Sequence, residues 1–167
     1  GVYLHTHDGR KIIDAISSWW VNLHGHGNPH IAKAIAAQAK TLEHVIFAGF
    51  THEPAIRLAQ ALLRILPDNQ SKVFYSDNGS TAVEVGLKMA FQYLYNKGIK
   101  KKKIIALKGA YHGDTFGAMS VGGRSPFTDP FSSYLFDVSF IDFPEPGSED
   151  QVLKECKALL NGGDVGA

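Results

Sequence analysis

An α/β fold, with a mostly parallel sheet flanked by helices, is predicted for this 167-residue chain by two observations. Short apolar runs at Val73–Tyr75, Ile104–Leu107 and Val138–Phe143 alternate with segments whose apolar residues recur at helical spacing, the pattern of βαβ units. Glycine, proline and short polar caps punctuate nearly every transition between them. The composition agrees, since 44% hydrophobic and 20% charged residues are those of an ordinary globular protein.

Residues 3–16 read as a hairpin, with Tyr3-Leu4-His5-Thr6 and Ile12-Ile13 on either side of an Asp8-Gly9 turn, and Ala15-Ile16 behind them. After Gly25-His26-Gly27, Asn28 and Pro29 start a helix that carries Ile31, Ala34, Ile35, Leu42 and Val45. Thr51 opens a second helix, with Ile56, Ala59, Leu62, Leu63 and Leu66 on one face and Pro67 as its stop. The strand Val73–Tyr75 runs into the turn Asp77-Asn78-Gly79-Ser80, and a third helix follows from Thr81 to Asn96, closed by Gly98. Ile104–Leu107 is the next strand, Thr115–Val121 a short helix, and Gly122–Ser133 a loop rich in glycine, serine and proline. Val138–Phe143 forms a strand broken by Pro144-Glu145-Pro146-Gly147. Ser148 with Gln151 makes a capping box for a last helix through Leu160, closed by Gly162-Gly163. A strand begins again at Asp164–Ala167, and the first residue is Gly1 rather than Met, so the chain is expected to be a piece of a longer one.

Charge and cysteine usage exclude several function classes. Lys+Arg is 17 against Asp+Glu at 16, a net charge of +1, which gives no global pull toward nucleic acid or acidic lipid. The run Lys100-Lys101-Lys102-Lys103 lacks interleaved aromatic residues and reads as a solvated connection. The single cysteine, Cys156, permits no intramolecular disulfide or cysteine-based zinc site and points to a reducing compartment. No apolar stretch reaches the roughly 18 residues of a membrane span, and no charged-then-apolar leader opens the chain. Of the eight histidines, His24, His26 and His30 are spaced like a metal cluster, but no carboxylate or cysteine completes a ligand set and no metal is expected. Glycine is in excess, at 17 of 167 residues, and glycine serves where a ligand approaches backbone.

Three segments carry candidate chemistry. Val73–Thr81 places a Gly79 turn and the Ser80 hydroxyl between a strand and a helix N-terminus, which fits either an anion such as phosphate or a plain turn and cap. Gly109-Ala110-Tyr111-His112-Gly113-Asp114-Thr115 follows the strand Ile104–Leu107, where ligands of α/β sheets bind, and fits a planar ligand or a satisfied loop network. In Ser17-Ser18-Trp19-Trp20, two neighbouring indoles on a strand cannot both point inward, so one faces a pocket or interface, or both pack at a domain boundary.

Together with Asp14–Trp20, the runs His44–His52 (HVIFAGFTH), Asp77–Val85 (DNGSTAVEV) and Gly109–Val121 (GAYHGDTFGAMSV) make the chain resemble the class III aminotransferases, pyridoxal-phosphate enzymes of fold type I. Within that class the Trp pair and the run from Tyr111 to Val121 most resemble the members that work in biotin biosynthesis. The resemblance implies that residues 1–16 are a hairpin of the small domain and residues 17–167 the first part of the large cofactor-binding domain. It implies pyridoxal 5'-phosphate as cofactor, with Gly79 and Ser80 on its phosphate, Tyr111 stacked on its ring and His112 orienting its surroundings. Trp19, Trp20, Tyr111 and Asp114 would border substrate, while Glu84 would be structural. The implied reaction moves the amino group of S-adenosyl-L-methionine to 8-amino-7-oxononanoate, giving 7,8-diaminononanoate, in a cytoplasmic homodimer that binds neither nucleic acid nor membrane. The alternatives are another class III transaminase acting on an omega-amino acid or amine, and a fragment without activity. Relative to the family pattern the chain lacks the Schiff-base lysine, the aspartate on the pyridine nitrogen and the arginine for the substrate carboxylate, so no catalytic residue is assigned. Lys88 and Lys108 are read as surface residues.

Overall fold

The computed structural model describes residues 1–167, which divide into two compact units, Gly1–Lys72 and Val73–Ala167. In the first unit β1 (Tyr3–His5) pairs antiparallel with β2 (Lys11–Ile13) in the register Tyr3↔Ile13, Leu4↔Ile12, His5↔Lys11. Gly9 takes φ +84 in the connecting turn, which Asp8 and Arg10 pin by an exposed ion pair of 2.8 Å. A short helical turn, α1 (Ser17–Trp20), follows. Next comes α2 (Pro29–Thr41), started as expected: the Asn28 side chain accepts from the backbone N–H groups of His30 and Ile31, and Pro29 occupies the first turn. α3 (Glu53–Leu63) begins two residues after Thr51 and ends before Leu66, its last turn loosening through Ile65 and Leu66 N–H bonds to the Leu62 carbonyl.

The second unit opens with a departure from expectation. Val73–Tyr75 is not part of a strand: β3 (Ile105–Leu107) has β4 (Ser139–Ile141) on one side and the Val165 segment on the other, so both edges of the central strand are taken by other segments. A strand is defined by its ladder, and an apolar run outside the ladder is not one. β3 and β4 are parallel, in the register Ile105↔Ser139, Ala106↔Phe140, Leu107↔Ile141. The residues at 164–167 add the expected third stretch, through a parallel bridge from Lys103 to Val165. Around this sheet lie α4 (Gly79–Asn96), α5 (Phe116–Val121) and α6 (Glu149–Asn161). The expected loop at 122–133 contains the start of a 3-10 helix, Asp129–Tyr134. The core is a cluster of Ile104, Val121 and Val138, covered by Val83, Leu87, Ala106 and Phe140. β3 is an unbroken apolar run and only half-buried, and β4 buries Ile141 alone.

The start of α6 also differs. Ser148 makes no cap; its hydroxyl turns back to donate to the Glu145 carbonyl and accept from the Glu145 N–H, while Glu149 takes the Gly147 N–H at 2.7 Å. The Pro-Gly turn competes for the serine and wins. No helix is long and apolar enough to cross a membrane.

Candidate active site

In the second unit the candidate residues are assembled by the first turn of α4. Asn78 and Thr81 cap it reciprocally: Asn78 Oδ1 accepts from the Thr81 N–H at 3.0 Å, and Thr81 Oγ1 accepts from the Asn78 N–H at 3.2 Å. This leaves the N–H groups of Gly79 and Ser80 without a protein acceptor, at the positive end of an 18-residue helix with no acidic residue in its first turn. Such a terminus suits an anion.

The loop after β3 lies directly on that turn. Asp114 donates its N–H to Ser80 Oγ at 3.3 Å, and the backbone at Gly113 comes so close that a Cβ there would stand 2.0 Å from the same oxygen. Gly113 also has φ +121, beyond the reach of most side chains. Tyr111 projects from the loop, 65% exposed, and its hydroxyl donates to Asp114 Oδ2 at 2.7 Å. Hydrogen bonding to this carboxylate pushes the Tyr111 phenol above its usual range, so the ring stays neutral. His112 is half-buried, with no hydrogen bond on its ring.

Glu84, one turn along α4 from Ser80, organises the far side of the loop. Its Oε1 accepts from the Thr115 hydroxyl (2.5 Å), the Gly117 N–H (2.7 Å) and the Ala118 N–H (3.1 Å), so a carboxylate of one helix caps the N-terminus of another. The Thr115 hydroxyl, then the two N–H groups, hold the Glu84 carboxyl below its usual range despite partial burial. At the opposite end of α5 the Arg124 guanidinium donates to the carbonyls of Met119, Ser120 and Gly122 at 2.8, 3.1 and 3.1 Å. An anion at the N-terminus and a cation at the C-terminus both oppose the helix dipole. The sequence places Thr115 in the candidate loop but does not mark Gly117 or Arg124, and it gives Glu84 only a structural role. The available signal was Ser80 and Glu84 four apart, on one helix face.

In the first unit, Trp19 and Trp20 are 65% and 64% exposed, with ring centroids 5.2 Å apart and planes at 43°. They do not sit on a strand, so alternation of faces is not what exposes them. Ser17, Ser18, Trp19 and Trp20 have φ of 51, 47, 67 and 68°, a left-handed turn that costs about 1–2 kcal/mol per residue for L-amino acids. Beneath it His26 Nε2 is 2.7 Å from Asp14 Oδ2. The histidines at 24, 26 and 30 do not converge, and no group of three His, Cys, Asp or Glu residues is placed to hold a metal.

The chain belongs to the class-III aminotransferase family, whose pattern it matches over residues 1–162. With that family it shares the α/β fold of the fold type I transaminases. It is 58% identical, over all of its length, to an adenosylmethionine-8-amino-7-oxononanoate aminotransferase of Synechococcus elongatus, of which it spans 41%. An enzyme of the same name from Aquifex aeolicus is 47% identical over 87% of this chain and 32% of its own. Among solved structures, that of the same-named enzyme from Methanocaldococcus jannaschii superposes with a TM-score of 0.80 at 43% identity, covering 87% of this chain and 34% of that one. A transaminase from a marine Virgibacillus covers all of this chain and 39% of its own with a TM-score of 0.88 at 32% identity. The chain thus spans about two fifths or less of the relatives it matches.

Proposed function

We propose that this chain carries the phosphate-binding turn and part of the substrate wall of a pyridoxal-phosphate aminotransferase that moves the amino group of S-adenosyl-L-methionine to 8-amino-7-oxononanoate. The observation that carries this reading is the pair of unpartnered N–H groups at Gly79 and Ser80 under the Tyr111 loop, in a chain 58% identical to an enzyme of that name. The residues fit the cofactor: a dianionic phosphate needs donors and positive potential, and Gly79, Ser80 and the α4 terminus offer both.

When bound, the cofactor acts as electron sink and carries the amino group between the two half-reactions. The residues of this chain do the holding. Gly79 and Ser80 fix the phosphate, and the Ser80 hydroxyl, which accepts from Asp114 N–H, is left to donate its own proton to it. Tyr111, its hydroxyl tethered by Asp114, would stack on the cofactor's ring and border the substrate. His112 orients the cofactor's surroundings, and Asp114 meets the substrate amino group. Trp19 packs on the aliphatic chain of the acceptor, with Trp20 beside it. In this reading residues 1–16 belong to the small domain and 17–167 to the large one, and the enzyme is a cytoplasmic homodimer.

The deciding experiment is the donor half-reaction of the full-length protein loaded with cofactor. Adenosylmethionine alone should shift the cofactor's absorption to that of its amino form, and subsequent 8-amino-7-oxononanoate should reverse it. A second reading, another class III transaminase, draws on the Virgibacillus superposition. It would be favoured by conversion with simple amines but not with adenosylmethionine.

A further inference from the structure

The turn that carries the Trp pair is held from below by one residue. Within it Trp20 N–H donates to the Ile16 carbonyl (2.8 Å), and Val21 and Asn22 N–H donate to the Ser17 carbonyl (3.0 and 2.9 Å). A right-handed turn makes bonds of the same kind, so these close the turn without choosing its hand. Four consecutive non-glycine residues at positive φ persist only where the surroundings over-determine them.

Asp14 supplies that determination. Its Oδ1 accepts from the Ser18 N–H at 2.9 Å, and its Oδ2 accepts from the Ser18 hydroxyl at 2.7 Å and faces His26 Nε2 at 2.7 Å. The Asp14 side chain is 6% exposed, whereas the two indoles of the turn that it bonds are almost two-thirds exposed. Both groups are anchored to the hairpin edge: Asp14 N–H donates to the Val2 carbonyl at 2.9 Å, and His26 N–H to the Gly1 carbonyl at 2.7 Å. The Ser18 N–H, then its hydroxyl and His26, hold the Asp14 carboxyl down to about 2, so it is ionised wherever the enzyme works.

We propose that Asp14, braced by His26, is a positioning residue for the acceptor site: it locks Ser17–Trp20 in the left-handed turn and thereby fixes the Trp19–Trp20 pair. The proposal rests on the reading that Trp19 packs against the acceptor chain.

The test uses the full-length holoenzyme and two readouts. Indoles held 5.2 Å apart at a fixed tilt give an exciton couplet in circular dichroism, identified as the signal lost in Trp19→Phe. Asp14→Asn leaves an amide oxygen for the Ser18 N–H but turns an NH2 group toward the Ser18 hydroxyl and His26. It should remove most of the couplet and raise the acceptor KM about fivefold or more, with a smaller change in kcat and unchanged cofactor affinity. His26→Gln, which keeps a donor, should do less than His26→Ala. If Asp14→Asn does not fold, Ser18→Ala, which deletes the hydroxyl contacts to Asp14 and His26 but keeps the Ser18 N–H bond, is read the same way. A retained couplet with unchanged KM overturns the proposal. A lost couplet with unchanged KM overturns it too, and Trp19→Ala then separates the causes: KM unchanged there as well means the acceptor reading has failed, KM raised there alone means only the positioning link has.

Discussion

Gly113 lies against Ser80 so closely that there is no room for a methyl group: a Cβ would stand 2.0 Å from Ser80 Oγ and 2.9 Å from Ser80 Cα. The second distance matters more, because a hydroxyl can rotate away and a helix backbone cannot. With φ at +121° the position is closed to other residues twice over. Gly113→Ala is therefore expected to cost about 2–4 kcal/mol through backbone strain and overpacking together. Urea unfolding of the full-length apoprotein checks this. Cofactor affinity should fall with it, since the displaced element is the turn bearing the Gly79 and Ser80 donors.

Ser80→Ala separates the phosphate contact from that packing. The variant keeps the glycine approach and both backbone donors but loses the hydroxyl. Loss of a hydrogen bond to a charged group predicts cofactor binding weaker by about 1–3 kcal/mol, with stability of the apoprotein little changed. Equilibrium dialysis against pyridoxal phosphate measures it, and unchanged affinity would remove Ser80 from the phosphate site.

Glu84 is expected to matter through shape before charge. All three of its donors converge on one oxygen, so Glu84→Gln retains an acceptor in place and should cost about 1 kcal/mol, whereas Glu84→Ala strands the Gly117 and Ala118 N–H groups and should cost about 2–4 kcal/mol. A carboxyl lowered in the folded state contributes stability that is whole above its ordinary value near 4.5 and is lost as pH falls through the lowered one. Chemical unfolding from pH 7 down to 3 should accordingly show a shallower pH dependence in Glu84→Gln than in the wild-type protein.

How far these features could be read from the sequence depends on how local their causes are. The Asn28-Pro29 start of α2 is written in adjacent residues and folds as read, whereas α4 starts at Gly79, two residues before the expected Thr81, because Asn78 rather than Ser80 or Thr81 caps it. Val73–Tyr75 has strand composition, yet a strand is a relation to a neighbouring ladder, and the sheet around β3 is built from other segments. Ser148 has a capping sequence, but the Glu145 turn claims its hydroxyl. The Trp pair was legible as an oddity, while its left-handed turn was not, because the carboxylate under it comes from Asp14 and its second contact from His26, twelve residues on. Glu84 shows the same limit at longer range: its donors lie 31 to 34 residues away, so only its place on the Ser80 face could be seen.

The exposure of Trp19 gives the last prediction its sign. A residue whose side chain is 65% exposed contributes little to the hydrophobic core, so Trp19→Ala should leave the unfolding midpoint nearly unchanged. If its indole packs on the aliphatic chain of the acceptor, the same truncation removes apolar contact from the bound state alone. The acceptor half-reaction should then lose about 1–3 kcal/mol in kcat/KM, while cofactor affinity stays within about twofold. Single-turnover measurement of the acceptor half-reaction, beside cofactor titration, distinguishes the cases. Equal losses in both would mean that the truncation disturbs the fold, and the acceptor role of Trp19 would have to be given up.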